Sequence, residues 1–231
     1  MAFDGLPPLR DVIARAGLRA RKSLGQNFIM DLNLTSRIAA LGQVADRTVI
    51  EIGPGPGGLT RALLADKPRR VIAIERDDRC CDVLAQISHH YPGRLDVVMA
   101  DALSFSAHHH ISSSDDGLAV IVANLPYGIA TPLIVKWLEA EPWPTWWDKA
   151  VLMFQKEVAE RIVAQPNTKS YGRLAVLAQR RCEVDIALHL PPSAFTPAPK
   201  VSSSVVVFKP QPIEDGVAPI HILQEVTAAA F

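Results

Sequence analysis

Apolar runs of strand length recur along the chain, and they are continuous where a half-exposed strand would alternate. They are TVIEI (48–52), VIAIE (71–75), LDVVM (95–99), LAVIVAN (118–124) and KAVLMF (149–154). Unbroken runs rich in Val and Ile fit strands covered on both faces. Helix-like stretches separate or follow them at 59–66, 78–90, 131–140, 155–165 and 172–181. Such alternation predicts a parallel sheet with right-handed crossovers. The pattern then changes. VDIALHL (184–190) and SSVVVF (203–208) are joined by the proline-rich PPSAFTPAPK (191–200), with no helix between them. Two such strands predict an antiparallel pair closing the sheet. The expected fold is therefore α/β: a seven-stranded Rossmann-like sheet with an antiparallel final strand.

Composition narrows the class. With 231 residues, 48% of them hydrophobic, the chain suits one α/β domain or one domain with a small appendage. No run of about 18 apolar residues occurs, so no membrane span is expected. The first ten residues lack the apolar stretch of a secretion signal. Cys80, Cys81 and Cys182 suit neither a disulfide framework nor a zinc site, which makes a reducing cytoplasm the expected compartment. Basic and acidic residues balance at 24 each, unlike a general nucleic-acid coat protein. Locally the balance differs. Residues 1–23 hold five basic residues against two acidic, and residues 161–200 hold six against two. These segments make one basic face if the fold joins them, and scattered solvated charge if it does not. The polar AHHHISSSDDG (107–117) reads as a surface loop, and its contiguous histidines lack the preorganisation of a metal site. The tryptophans of EPWPTWWDK (141–149) are expected to cover an edge of the core.

The first strand runs into EIGPGPGG (51–58), where Gly53, Gly55 and Gly58 match G-x-G-x-x-G. Glu75 ends the next strand, 22 positions after Gly53, where a carboxylate can accept from a ribose diol. A nicotinamide dinucleotide needs loop amides to cradle its pyrophosphate. Pro54 and Pro56 remove two of them. A cofactor without phosphate fits better, and S-adenosyl-L-methionine is one. Asp101, just past the third strand, is placed to accept from the adenine amino group at the carboxyl edge of the sheet.

Asn124, Leu125, Pro126 and Tyr127 end the fourth strand at that same edge. An exocyclic amine on a base is a poor nucleophile, because its lone pair is delocalised into the ring. Two acceptors aimed at its hydrogens would fix it and stabilise the charge that grows on nitrogen. The Asn124 side-chain oxygen can be one. The Leu125 carbonyl can be the other, since Pro126 holds the preceding residue extended. Tyr127 can stack on the base. A duplex hides this nitrogen, so the base must be unpaired or flipped. Phe195 is the candidate for its second face, with Lys200 nearby for a phosphate.

KSLGQNFIMD (22–31), EIGPGPGGLT (51–60), NLPY (124–127), FQKEVAERIVAQPNTKSYGRLAVLAQ (154–179) and PPSAFTPAPKVSSSVV (191–206) together resemble the bacterial small-subunit ribosomal RNA adenine dimethyltransferases of the KsgA type. The likeness covers about residues 20–210. Erythromycin-resistance methyltransferases of the large-subunit RNA share the first three motifs, while the long 155–174 stretch looks more like the ribosome-biogenesis branch. The resemblance implies that Asn27 and Ile29 close over the methionine end of S-adenosyl-L-methionine, with Gly53 beneath it. Glu75 is implied on the ribose, Asp101 on the adenine, and Asn124 on both cofactor and target amine. Tyr127 and Phe195 would sandwich the target adenine. The implied reaction is N6,N6-dimethylation of two adjacent adenosines near the 3′ end of 16S rRNA, presented by a pre-assembled small ribosomal subunit. No stable protein partner is indicated. The implied organisation is a catalytic domain over 1–210, its residues 1–47 closing over the cofactor. Residues 211–231 are then the start of a small helical C-terminal domain. A nicotinamide-dependent oxidoreductase and a non-catalytic assembly factor are the rival readings.

Overall fold

All seven apolar runs form strands of one sheet. In the computed structural model, which describes residues 4–106, 110–111, 118–144, 146–213 and 218–231, five of these strands are mutually parallel. They are β2 (Thr48–Ile52), β3 (Arg70–Glu75), β4 (Leu95–Met99), β5 (Ala119–Ala123) and β6 (Trp147–Gln155). β7 (Cys182–Leu190) forms an edge, and β9 (Ser203–Pro210) inserts between β6 and β7, antiparallel to both. The order is β4-β3-β2-β5-β6-β9-β7. Only β9 runs against the others. A separate two-stranded ribbon pairs β1 (Phe28–Ile29) with β8 (Phe195–Thr196).

The sheet is buried on both faces, as the continuous apolar runs require. Side chains alternate across it. Val49, Val71, Ala73, Val120 and Val122 face a layer built by α2 (Leu32–Gly42), α3 (Gly58–Ala65) and α4 (Cys81–His90). Ile50, Ile72, Ile74 and Ile121 face α5 (Tyr127–Glu139), α6 (Lys156–Ile162) and α7 (Arg173–Arg181). α2 starts where Asp31 caps the amides of Asn33 and Leu34. α5 starts at Tyr127, four residues before the expected 131. Pro132 lies inside it, and a Thr-Pro pair looks like a helix start. An N-terminal helix, α1 (Leu9–Arg15), precedes β1. A last helix, α8 (Ile220–Ala230), follows the sheet and packs on α7.

The N-terminal segment is stapled to α3. Arg61 Nε and Nη2 donate to the two carboxylate oxygens of Asp4 at 2.6 Å each, and Nη1 donates to the Pro7 carbonyl at 2.8 Å. Both side chains are almost wholly buried. Burial pushes the Asp4 carboxyl up, but the Arg61 bond and the Leu6 amide outweigh it, and the net shift is downward.

The tryptophans sit at the amino edge of β6. Trp147 is fully buried and meets Trp143 edge-on, while Trp146 meets Trp137. Arg181 lies 4.7 Å over the Trp143 ring. They cover core at the end of the sheet opposite its carboxyl edge. Of the 107–117 loop only residues 110–111 lie within the described set.

Candidate active site

The sheet changes direction of winding between β2 and β5, and a cavity of about 400 Å³ opens at their carboxyl ends. Crevices at such switch points are where open α/β sheets bind ligands. Asn27, Ile29, Gly53, Gly55, Glu75, Asp101, Asn124, Leu125, Pro126 and Tyr127 all line it. One predicted residue does not. Phe195 is 4% exposed and lies in the core beside Ile29. Its register in the ribbon, Ile29 opposite Phe195, turns both side chains inward. The expected stacking ring is thus a core residue in this conformation, and Phe28, which also lines the cavity, is the aromatic the sequence reading missed.

The floor is the glycine loop. The Gly53 amide donates to the Ile74 carbonyl at 2.9 Å, tying the loop to β3. Gly55 has φ +54, and a Cβ there would lie 3.2 Å from the Phe28 ring. At Gly58, a Cβ would lie 2.9 Å from Leu9 Cδ2 and 3.1 Å from the Ile29 carbonyl. The third glycine of the motif therefore admits the N-terminal segment over the start of α3.

Glu75 has fewer open positions than expected. Its Oε1 accepts from the amides of Arg76 and Asp77 at 2.8 Å each, and Oε2 accepts from Gly55 at 2.9 Å. An ionised carboxylate offers about two acceptor positions per oxygen. One acceptor position on Oε2 remains open to the cavity. Asp101 uses Oδ1 on the Leu103 amide at 2.9 Å, and its Oδ2 lies 3.3 Å from Arg76 Nη1. An adenine amine there must share Oδ2 with Arg76.

The N-terminal wall is held by Asp77. Gln26 Nε2 donates to Asp77 Oδ2 at 2.8 Å, and Arg79 donates to both oxygens at 2.8 and 2.5 Å. The Arg79 bond, with Gln26 adding, holds this carboxyl down at about 2 against the opposing effect of burial. Arg79 also donates to the Arg19 carbonyl at 3.1 Å. This network fixes the approach to Asn27 and Phe28.

Asn124 Nδ2 donates to the Asn27 carbonyl at 3.1 Å. That assignment leaves Oδ1 as an acceptor with no partner among the described residues. No described donor uses the Leu125 carbonyl either. Pro126, with φ −55 and ψ 130, caps α5 and swings Tyr127 into its first turn. Tyr127 Oη and Ser203 Oγ lie 2.7 Å apart. Burial raises the Tyr127 phenol, and Ser203 offsets part of this. Ser203 is a second group missed from sequence; only the antiparallel direction of β9 places its first residue at this edge.

Beneath the loop lies a third. Glu51, next to last in β2, is 1% exposed, and its Oε2 has no described partner. Burial pushes its carboxyl up to about 8, with the Glu75 charge adding and the Thr60 hydroxyl and amide opposing. An acid inside TVIEI was the available signal.

The cavity is thus rich in acceptors. Its one lining Arg or Lys among residues with described side chains, Arg76, already faces Asp101. That acceptor set disfavours phosphate and suits a cationic nucleoside. Among the described residues no cluster of three metal-ligating side chains exists, and no helix is long and apolar enough to cross a membrane.

Residues 17–231 match the ribosomal RNA adenine dimethylase family. The chain is 59% identical over its whole length to ribosomal RNA small subunit methyltransferase A of Xanthobacter autotrophicus, covering 79% of that protein. A dimethyladenosine transferase from Plasmodium falciparum superposes with a TM-score of 0.68 at 31% identity, over 78% of this chain and 62% of that one. The 23S rRNA methyltransferase ErmE superposes at 0.66 with 30% identity, over 87% of this chain and 76% of that one.

Proposed function

We propose, from the premise that this chain belongs to the ribosomal RNA adenine dimethylase family, that it dimethylates the N6 amines of adenosines in small-subunit ribosomal RNA. The observation that carries this reading is Asn124. Its Nδ2 is tied to Asn27, its Oδ1 is open, and the Leu125 carbonyl and Tyr127 ring stand beside it on one cavity wall. The 59% likeness to a small-subunit enzyme, against 30% to a large-subunit one, supports the small subunit. Pro54 and Pro56, which offer no amides to a pyrophosphate, speak against a nicotinamide dinucleotide, and the open acceptors at Asn124 speak against a non-catalytic factor.

The acceptor-rich cavity suits S-adenosylmethionine, which supplies an electrophilic methyl on a sulfonium. Asp101 would hold its adenine, the open position on Glu75 Oε2 one ribose hydroxyl, and Asn27, Ile29 and Gly53 its amino-acid end. Asn124 Oδ1 and the Leu125 carbonyl each accept one hydrogen of the target amine. They hold its lone pair toward the cavity and stabilise the positive charge that develops there. Tyr127 stacks on the base, while Phe28 and Ile29 exclude water. After attack the amine's extra proton is acidic, so it leaves to solvent without a strong base. The second methylation brings one N–H, for which one of the two acceptors suffices. We read the substrate as two adjacent adenosines near the 3′ end of 16S rRNA within a pre-assembled small subunit, in the cytoplasm. We read residues 211–231 as the start of a helical C-terminal domain.

The test is transfer of labelled methyl from S-adenosylmethionine to small subunits that lack dimethyladenosine. The expected product is dimethyladenosine at two adjacent positions of 16S rRNA. Transfer only to large-subunit RNA, or none with bound cofactor, overturns the reading.

A further inference from the structure

We propose that the groove beyond the β1–β8 ribbon holds the phosphodiester backbone of the RNA strand flanking the target adenine; this rests on the cavity being an RNA adenine site. The groove has a volume of about 700 Å³. Arg10, Arg37 of α2, His189 near the end of β7, and Thr196 of β8 wall it. β1 leads from one site to the other: Phe28 and Ile29 line the cavity, and Met30 lines the groove. A strand that inserts a base into the cavity therefore continues naturally across the ribbon.

The chemistry of the walls points to phosphate. Arg10 and Arg37 are exposed, and neither makes an ion pair or side-chain hydrogen bond with another described residue. Asp31, the acid in the wall, caps the Asn33 and Leu34 amides and neutralises neither guanidinium by direct contact. His189 Nδ1 is fixed on Ser204 Oγ at 2.9 Å, and Nε2 has no described partner. Of the two basic segments of the sequence, the first contributes Arg10 to the groove, while the second contributes His189 and Thr196 and none of its Arg or Lys residues. Guanidinium groups pair with phosphate oxygens in a bidentate way and confer salt-dependent affinity without base specificity.

The test is binding of a labelled single-stranded RNA of about ten nucleotides containing two adjacent adenines, titrated from about 50 to 200 mM salt. The double variant Arg10→Gln/Arg37→Gln is compared with Lys67→Gln/Lys209→Gln, which removes the same charge at the opposite edge of the sheet. Each phosphate contact on a single strand contributes about 0.7 to the log–log salt slope. The groove variant should lose about 1.4 in slope and several-fold in affinity at low salt, and the control should lose little of either. Binding of S-adenosylhomocysteine should be unchanged. Equal losses in both variants, or an unchanged slope, overturn the proposal. So does loss of activity on intact subunits with an unchanged RNA slope, which would place a ribosomal protein in the groove. Failure of the wild-type chain to bind S-adenosylhomocysteine, with the RNA slope difference intact, would instead overturn the reading of the cavity.

Discussion

In the parallel half of the sheet, strands enter the site with their last residues; β9 enters it with its first. β2 ends in the Gly53 loop, β3 in Glu75, and β5 leads into Asn124, whereas β9 begins at Ser203, whose hydroxyl holds the Tyr127 ring. β2, β3, β4 and β5 each deliver a group at or just past their carboxyl ends, so a cleft forms at the switch point from local sequence alone. The antiparallel strand adds a contact to α5 from outside that pattern. The two halves also bury polar groups differently. In β9, Ser203 and Ser204 are buried but partnered, by Tyr127 and His189. In β2, Glu51 is buried with one oxygen unpartnered.

That contrast gives the largest expected effect. Burial pushes the Glu51 carboxyl up to about 8 in the folded chain, from an ordinary value of 4.5. The folded state therefore binds more protons than the unfolded state between these values. The associated stability is fully present below about pH 4.5 and is lost as pH rises through about 8. The upper limit of the loss is roughly 4–5 kcal/mol. Glu51→Gln should remove this dependence. The melting temperature of the variant should gain on wild type from about pH 5 to 8 and level off above. Parallel pH profiles would mean that a proton donor already satisfies Glu51, and the contrast between the halves would vanish.

Asn124→Ala tests the contribution of β5. Losing one acceptor of developing charge should lower kcat by about 10²–10³-fold, with a smaller change in cofactor affinity. Single-turnover methyl transfer at saturating cofactor is the measurement. Near-normal turnover would remove Asn124 Oδ1 from the chemistry. Next is Glu75→Gln. One ribose contact is at stake, and the Gln keeps one acceptor for the three amides that now bind the carboxylate. Cofactor affinity should fall about 10- to 100-fold, with kcat at saturation nearly kept. Isothermal titration with S-adenosylhomocysteine distinguishes this from an unchanged dissociation constant, which would leave Glu75 organising only the loop.

The sequence read best where chemistry sits at the end of a long, uniform run. Gly53, Glu75, Asp101 and Asn124 each follow strands of Val and Ile, so their placement at one edge follows from the alternation of strands and helices. It read worst where two short segments far apart in sequence meet. β1 and β8 have two residues each, too few for any periodicity. Phe195 was visible as an aromatic in a proline-stiffened loop, yet which way it faces depends on pairing with Ile29, 166 positions earlier. Asp4 and Arg61 were legible only as charges, because nothing local joins residues separated by 57 positions. Glu51 was read as part of a loop motif, since a strand run does not reveal whether its one acid finds a donor.

The smallest effect tests the contribution of β9. In the proposed reading Tyr127 presents its ring to the base, and one bond of 2.7 Å to Ser203 fixes the far end of that ring. Tyr127→Phe keeps the ring and removes the tether from one side; Ser203→Ala removes it from the other. Each should raise KM for the RNA substrate a few-fold and leave S-adenosylhomocysteine affinity alone, as suits a net hydrogen bond worth about 1 kcal/mol. The double variant should be no worse than the more affected single variant, because both remove the same interaction. Additive losses would mean that the two groups act separately. Ser203 would then be core packing in a strand that merely ends at this edge, and the site would belong to the parallel half alone.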